Sequence, residues 1–199
     1  MKQRDVDVLE EDLVYDGFFQ IKTFRLRHTL FAGGWSETIR RELFLRDPAV
    51  GVLLYDPWRD ELVLVEQFRI GLLPSGQEPW IVELVAGIVE PGESVRAVAT
   101  REALEETGCP VDRLEPIADY FTSPGGSCER FHLFCGRVRA EGAGGIFGLP
   151  HEGEDIRALV LSFERAMVLL AAREIDNAHT LIALQWLQSN RQRLREAWT

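Results

Sequence analysis

Cysteine is scarce in this chain and has no paired spacing. Cys109, Cys128 and Cys135 are three in 199 residues, an odd count that argues against a disulfide framework or a zinc site and for reduced core or loop thiols. Positive charge is also short: 22 Lys and Arg against 32 Asp and Glu give a net charge of −10. That balance disfavours nucleic acid or an anionic membrane as partner, because both bind through positive surface. Long apolar runs are absent as well, none approaching the roughly 18–20 residues that span a bilayer. The charged opening Met-Lys-Gln-Arg-Asp-Val-Asp has no apolar signal-peptide core. No internal repeat or low-complexity tail appears. These absences predict a cytoplasmic globular protein, long enough for one domain with a substantial core, alone or with a small extension. They do not exclude a phosphate substrate, which an acidic site can hold through intervening cations and a few local arginines.

What the chain does have is concentrated between Gly87 and Cys109. A glycine-rich loop, Gly87 to Gly92, feeds a helix expected to open at the N-cap residue Ser94 and stop at Gly108. At about 100° per residue, Glu102, Glu105 and Glu106 fall within an arc of roughly 100°, with Glu102 and Glu106 one turn apart. Like charges at that spacing weaken a helix by about 0.2–0.5 kcal/mol per pair. A solvated helix face would tolerate them. A hard divalent cation such as Mg²⁺ or Mn²⁺, which takes oxygen ligands, would account for them.

The spacing favours the second reading. The stretch resembles the signature of the Nudix hydrolases, Gly-x5-Glu-x7-Arg-Glu-U-x-Glu-Glu-x-Gly-U with U apolar, met by Gly87, Glu93, Arg101, Glu102, Ala103, Glu105, Glu106, Gly108 and Cys109. Ala103 and Cys109 are smaller than the usual apolar residues, which bears on packing and not on the acids.

Along the chain, Leu13 to Lys22, Thr23 to Phe31 and Trp35 to Arg46 read as strands, with Ala-Gly-Gly as a turn. More buried strands follow at Val50 to Tyr55 and Glu61 to Phe68, then Trp80 to Ala86 leads into the loop. Strands are expected near Leu114 to Phe121, Phe131 to Val138 and Ile156 to Leu161. Residues 139–155, glycine-rich and acidic, read as a mobile loop. Two late helices are expected, Phe163 to Arg173 capped by Ser162 and Ala178 to Ala197 capped by Asn177. Strands first and helices late indicate an α+β fold. The Nudix resemblance implies an α/β/α sandwich around a mixed sheet for residues 48–199, with residues 1–47 as an added N-terminal β-sheet portion.

Further segments are similar to bacterial ADP-ribose pyrophosphatases: Ser-Pro-Gly-Gly at 123–126, Gly-Phe-Phe (17–19), Arg-Arg-Glu (40–42), Glu-Gln-Phe-Arg (66–69), Glu-Gly-Glu-Asp-Ile (152–156) and Ile-Asp-Asn-Ala (175–178). The resemblance implies metal binding by the carbonyl of Ala86 and the carboxylates of Glu102, Glu106 and Glu154, with Glu105 close by, directly or through water. Glu152 would be the general base and Glu105 its alternative. Phe18 and Phe19 would meet the adenine. Arg41, Glu42, Arg46 and Arg69 would make polar and phosphate contacts, and Ile88, Ser123, Pro124, Gly125 and Glu129 would lie near the phosphates and terminal ribose. Glu93 and Arg101 would form a structural pair. The resemblance also implies a homodimer that exchanges its N-terminal sheet. The function implied is Mg²⁺-dependent hydrolysis of ADP-ribose to AMP and ribose 5-phosphate. The alternatives are hydrolysis of another nucleotide sugar such as GDP-mannose, and a module that binds ADP-ribose without cleaving it.

Overall fold

The computed structural model describes residues 4–199, apart from the side chain of Glu152. It divides into two compact units, one built from residues up to Pro48 together with Tyr120–Phe131, the other from Ala49–Asp119 and His132–Thr199.

In the first unit, strands β1 (Val6–Asp16), β2 (Gln20–His28) and β3 (Ile39–Leu45) form a sheet in that order. β1 and β2 are antiparallel with Leu13 opposite Lys22 and Asp16 opposite Gln20. The turn is therefore Gly17-Phe18-Phe19, where an unbroken strand to Lys22 was expected. Two phenylalanines disguise the turn in the sequence. It is held by Gln20 Nε2 donating to Asp16 Oδ1 at 2.7 Å and Gly17 N to Phe19 O at 3.0 Å. Acids on β1 face bases on β2, as in Lys22–Glu11, Arg25–Glu10 and Arg27–Asp7, and opposite charges across a strand pair favour this register. The Ala-Gly-Gly turn forms as expected, with Gly33 and Gly34 at φ of 97° and 79°. β3 is shorter than the sequence pattern suggested.

The second unit is an eight-stranded sheet. β4 (Ala49–Asp56), β5 (Glu61–Phe68), β6 (Trp80–Glu83), β7 (Val85–Ile88), β8 (Arg113–Phe121), β9 (Arg130–Arg137), β10 (Gly145–Phe147) and β11 (Ile156–Ser162) take the order β10-β11-β5-β4-β9-β8, with β6 on β5 and β7 on β4. Three helices complete it: α1 (Val95–Thr107), α2 (Phe163–Ala171) and α3 (Ala178–Trp198). All eight residues of β4 are buried, which requires cover on both faces. Val50, Val52 and Leu54 pack with Val63, Val65 and the α1 residues Val98, Ala99 and Ala103. The alternate residues Leu53, Tyr55, Leu62 and Leu64 are equally buried and face the side of α3. There Thr180 Oγ1 accepts from Leu84 N at 2.9 Å, and Asp60 receives both Tyr55 Oη and Arg191 Nε. Each such aliphatic side chain contributes about 1.5–3 kcal/mol by leaving water. The result is the α+β architecture expected, a sheet between helical layers.

The segment 139–155 departs from the expected loop. It contains β10, paired antiparallel to β11, and a 3₁₀ turn at Pro150–Glu152. Phe147 anchors it in the core against Gly108, where a Cβ would meet the ring at 3.1 Å. No helix among the described residues is long and apolar enough to cross a membrane.

Candidate functional site

Strand β7 delivers the backbone of Ala86 and Gly87 beside α1. Ala86 pairs with Gly51 and Gly87 with Val50 on the central strand β4, so this backbone is fixed from below. α1 begins after Ser94 and ends at Gly108, whose φ of 69° closes the helix with its N–H on Leu104 O. Both ends match expectation, although the Ser94 side chain makes no capping hydrogen bond. Gly87 is required for space: a Cβ there would collide with the carboxylate of Glu102.

α1 then sorts its acids by depth. Glu105 is partly exposed and accepts from Arg101 at 2.9 Å, and Glu102, more covered, also meets Arg101 at 3.0 Å. Glu106 is 3% exposed, and its Oε2 has no hydrogen-bond partner. A buried carboxylate left in that state is costly. Burial first, then the charge of Glu102, with Glu154 and Glu83 adding and Arg69 opposing, pushes the Glu106 carboxyl up to about 9. Glu154 comes from the segment before β11 and accepts from Leu149 N at 3.1 Å. Gly148, at φ 100°, lies against the Glu154 backbone so closely that a Cβ would meet its carbonyl carbon at 3.1 Å.

This donor set fits a hard divalent cation. All its groups are oxygens, one buried carboxylate oxygen is orphaned, and the glycine beside Glu102 leaves no room for a side chain. Among the described residues no three acid, His or Cys side chains form a closed ion-holding cluster. A cation would therefore rely on the Ala86 carbonyl and water as well as on Glu102, Glu106 and Glu154. Glu93 and Arg101 form the structural pair expected, at 4.0 Å, and the Glu93 carboxylate also accepts from Glu90 N within the loop at 3.0 Å.

Glu83 is a residue that the sequence reading missed. It interrupts the apolar run Trp-Ile-Val-Glu-Leu-Val-Ala, and a lone acid in a strand leading to a buried layer is the signal that could have found it. It pairs with Arg69 Nε at 2.5 Å, and burial pushes its carboxyl up while Arg69 pulls it back. Ile88, at the end of β7, is 42% exposed.

The first unit gathers a second group of expected residues. Phe18 and Phe19 sit in the β1–β2 turn, Phe18 86% exposed, with ring centroids 4.7 Å apart. Phe19 also packs edge-on against Phe44, and Arg46 lies 4.7 Å over the Phe19 ring. Arg46 presents Nε and one terminal nitrogen to Glu129 Oε1, at 3.0 and 2.8 Å. The loop carrying Ser123, Pro124 and Gly125 is closed by Gly126 N and Ser127 N on Ser123 O and is joined to β3 through Phe44 N on Gly126 O. Cys128 Sγ accepts from Arg46 N at 3.3 Å. Arg41 and Glu42 stand exposed on β3, outside this group. Glu152 lies in the 3₁₀ turn before Glu154, and its side chain falls outside the described residues.

Comparison with known proteins gives consistent matches. The NUDIX domain model matches residues 45–184. The chain is 46% identical over 196 residues to the ADP-ribose pyrophosphatase of Escherichia coli, covering 98% of this chain and 94% of that one. It is 44% identical over 199 residues to the ADP-ribose pyrophosphatase of Haemophilus influenzae, covering 98% and 92%. Identity to the GDP-mannose pyrophosphatase of Salmonella typhimurium is 30% over 192 residues, covering 93% and 96%. A crystal structure of an ADP compounds hydrolase superposes with a TM-score of 0.72 over 96% of each chain at 19% identity, a likeness of fold. With a family model over most of its length and the signature acids on one helix, the chain belongs to the NUDIX domain family of hydrolases.

Proposed function

We propose that this protein hydrolyses ADP-ribose to AMP and ribose 5-phosphate with Mg²⁺, or Mn²⁺ in its place. Enzymes of this kind generally need divalent metal ions. The observation that carries the reading is Glu106: a buried carboxylate oxygen without a partner, beside other acids, on the helix that bears the signature. The names of the relatives at 44–46% identity give the substrate, and the GDP-mannose pyrophosphatases stand further off at 30%.

Glu102, Glu106, Glu154 and the Ala86 carbonyl would hold the ions, with Glu105 nearby. When bound, divalent cations acidify water and neutralise charge on the leaving phosphate. Glu152 takes the proton from the attacking water as the new P–O bond forms and the bridging P–O bond breaks. Arg69 offers charge-assisted donors to the diphosphate. Phe18 and Phe19 present aromatic faces suited to stacking the adenine, and Arg41, Glu42, Arg46, Ile88, Ser123, Pro124, Gly125 and Glu129 supply the remaining substrate contacts.

Residues 1–47 act as a dimerisation portion exchanged between two copies, so that Phe18 to Arg46 complete the partner's site, while residues 48–199 form the catalytic domain. Support comes from β1, an edge strand that exposes Val6, Val8, Leu13, Val14 and Tyr15. A long edge strand with exposed apolar side chains among its acids offers a surface for pairing with another chain.

The test is a substrate panel of ADP-ribose, ADP-glucose, GDP-mannose, NADH and diadenosine polyphosphates with Mg²⁺, read by product chromatography. AMP and ribose 5-phosphate formed from ADP-ribose, well ahead of the rest, are expected. GDP-mannose in the lead would keep the chemistry and overturn the substrate, and no turnover at all would favour a binding module.

A further inference from the structure

Arg69 and Glu83 share one face of the β5–β6 pair. The register joins Val65 to Glu83 and Gln67 to Ile81, and Arg69 N donates to Pro79 O at 2.6 Å. Arg69 therefore stands four pairs beyond Glu83 along the sheet, on the same face, with Gln67 between them. Four residues of strand span about 13 Å, a distance that an arginine and a glutamate bridge only when both lie extended along the strand. They do so, Nε reaching Glu83 Oε1 at 2.5 Å. The Glu83 side chain keeps 13% of its exposure and Arg69 keeps 42%, so the carboxylate is the fixed partner and the guanidinium the one that meets solvent. The contact runs through Nε and does not consume the two terminal nitrogens, the pair that grips phosphate oxygens. The Gln67 amide pulls weakly on Glu83 without reaching hydrogen-bond length.

Arg69 also pulls the Glu106 carboxyl down against its burial, so its charge is felt by the acids of α1 as well as by Glu83. An untethered arginine would swing toward Glu102, Glu106 and Glu154, where it would compete with a bound cation and leave the diphosphate. We propose that Glu83 is a positioning residue that anchors Arg69 by Nε, keeping its terminal nitrogens on the diphosphate and its charge off the metal-binding carboxylates. A largely covered acid in an apolar strand is destabilising unless it has such work. The proposal rests on Arg69 meeting the diphosphate, as argued above.

The experiment compares wild type, Glu83→Gln, Glu83→Asp, Arg69→Ala and Glu83→Gln/Arg69→Ala. Steady-state kinetics with ADP-ribose are read beside calorimetric binding of its α,β-methylene analogue, Mn²⁺ titration without substrate, and melting temperature. Glu83→Gln should raise KM at least tenfold, weaken analogue binding in proportion, raise the Mn²⁺ dissociation constant several-fold and leave the melting temperature unchanged or higher. Adding it to Arg69→Ala should cost nothing further, because both changes remove one unit. Glu83→Asp, which keeps the charge on a shorter stem, should recover part of the loss. Arg69→Ala defective with Glu83→Gln normal would overturn the positioning role alone. Arg69→Ala without effect on KM would remove Arg69 from the diphosphate and take the proposal with it.

Discussion

The backbone of Gly87 and the carboxylate of Glu102 occupy adjoining space, so closely that a Cβ on Gly87 would collide with the carboxylate. The strand before the loop and the helix after it thus meet at a point where only hydrogen fits, which brings the Ala86 carbonyl beside the acids of α1. Gly87→Ala should fold, because Glu102 is a movable side chain, but it should push that carboxylate away. Loss of roughly 10- to 100-fold in metal affinity is expected, the usual scale for disturbing a ligand's orientation. Mn²⁺ titration by paramagnetic resonance would check it, and an unchanged affinity would mean that Glu102 is not a ligand.

Glu106 should make the metal-free protein less stable as pH rises. Its carboxyl is raised from 4.5 to about 9 in the folded chain, so between those values the folded state holds a proton that the unfolded state has lost. Stability is unaffected below about 4.5, falls through the interval and reaches its full deficit above about 9. At 1.36 kcal/mol per unit, the roughly 2.5 units up to pH 7 correspond to about 3 kcal/mol. Glu106→Gln should therefore raise the metal-free melting temperature at pH 7.5 and abolish the rise that Mg²⁺ gives wild type. Calorimetric scans with and without Mg²⁺ measure both, and a metal-dependent rise that survives in the variant would exclude Glu106 as a ligand.

Glu152→Gln separates binding from chemistry. A general base supplies about 10²- to 10⁴-fold in rate, so kcat should fall within that range while Mn²⁺ and substrate-analogue affinities hold. Unchanged turnover would shift the base to Glu105 or to a metal-bound hydroxide.

Arg46 and Glu129 should behave as one element. Both Arg46 contacts converge on the same Glu129 oxygen, and the side chains keep only 25% and 14% of their exposure. Arg46→Ala and Glu129→Ala should each raise KM, and the double variant should be no worse than the poorer single one. A coupling of about 0.5–3 kcal/mol in a double-mutant cycle is expected for partners in contact; additive effects would show that the pair does not act together.

The signature helix was legible because spacing alone sets its geometry: Ser94, Gly108 and the positions of Glu102, Glu105 and Glu106 emerge as read. β4 and β5 were legible because their apolar runs are continuous and bounded by the turn at Asp56 to Asp60. The β1–β2 turn was not, since Phe18 and Phe19 carry no turn chemistry and the register is set by charge pairs between strands. β10 was hidden for a related reason. It is three residues long, and it forms because Phe147 finds the core and glycines at 144, 145 and 148 take positive φ. Glu83 could be seen as an oddity, but its meaning depends on a β5–β6 register that no local pattern encodes.

Exchange of the N-terminal sheet makes a prediction that an ordinary dimer does not. Coexpress one chain carrying Glu106→Gln with another carrying Arg46→Ala and assay well below the wild-type KM, where the lost metal site of the first and the raised KM of the second each leave little activity. If residues 1–47 complete the partner's site, a mixed dimer has one site with both defects and one with neither. Half of randomly assorted dimers are mixed, so roughly a quarter of wild-type activity should return. Without exchange, every site in every dimer carries one defect and no activity returns. Sedimentation should find about twice 22.6 kDa for the coexpressed pair and for wild type, and Leu13→Glu, which places a charge on the exposed edge of β1, should shift wild type toward the single-chain mass and abolish the recovery. Recovery with a single-chain mass would contradict the dimer itself, whereas a dimer without recovery would leave the two chains associated but each site self-contained.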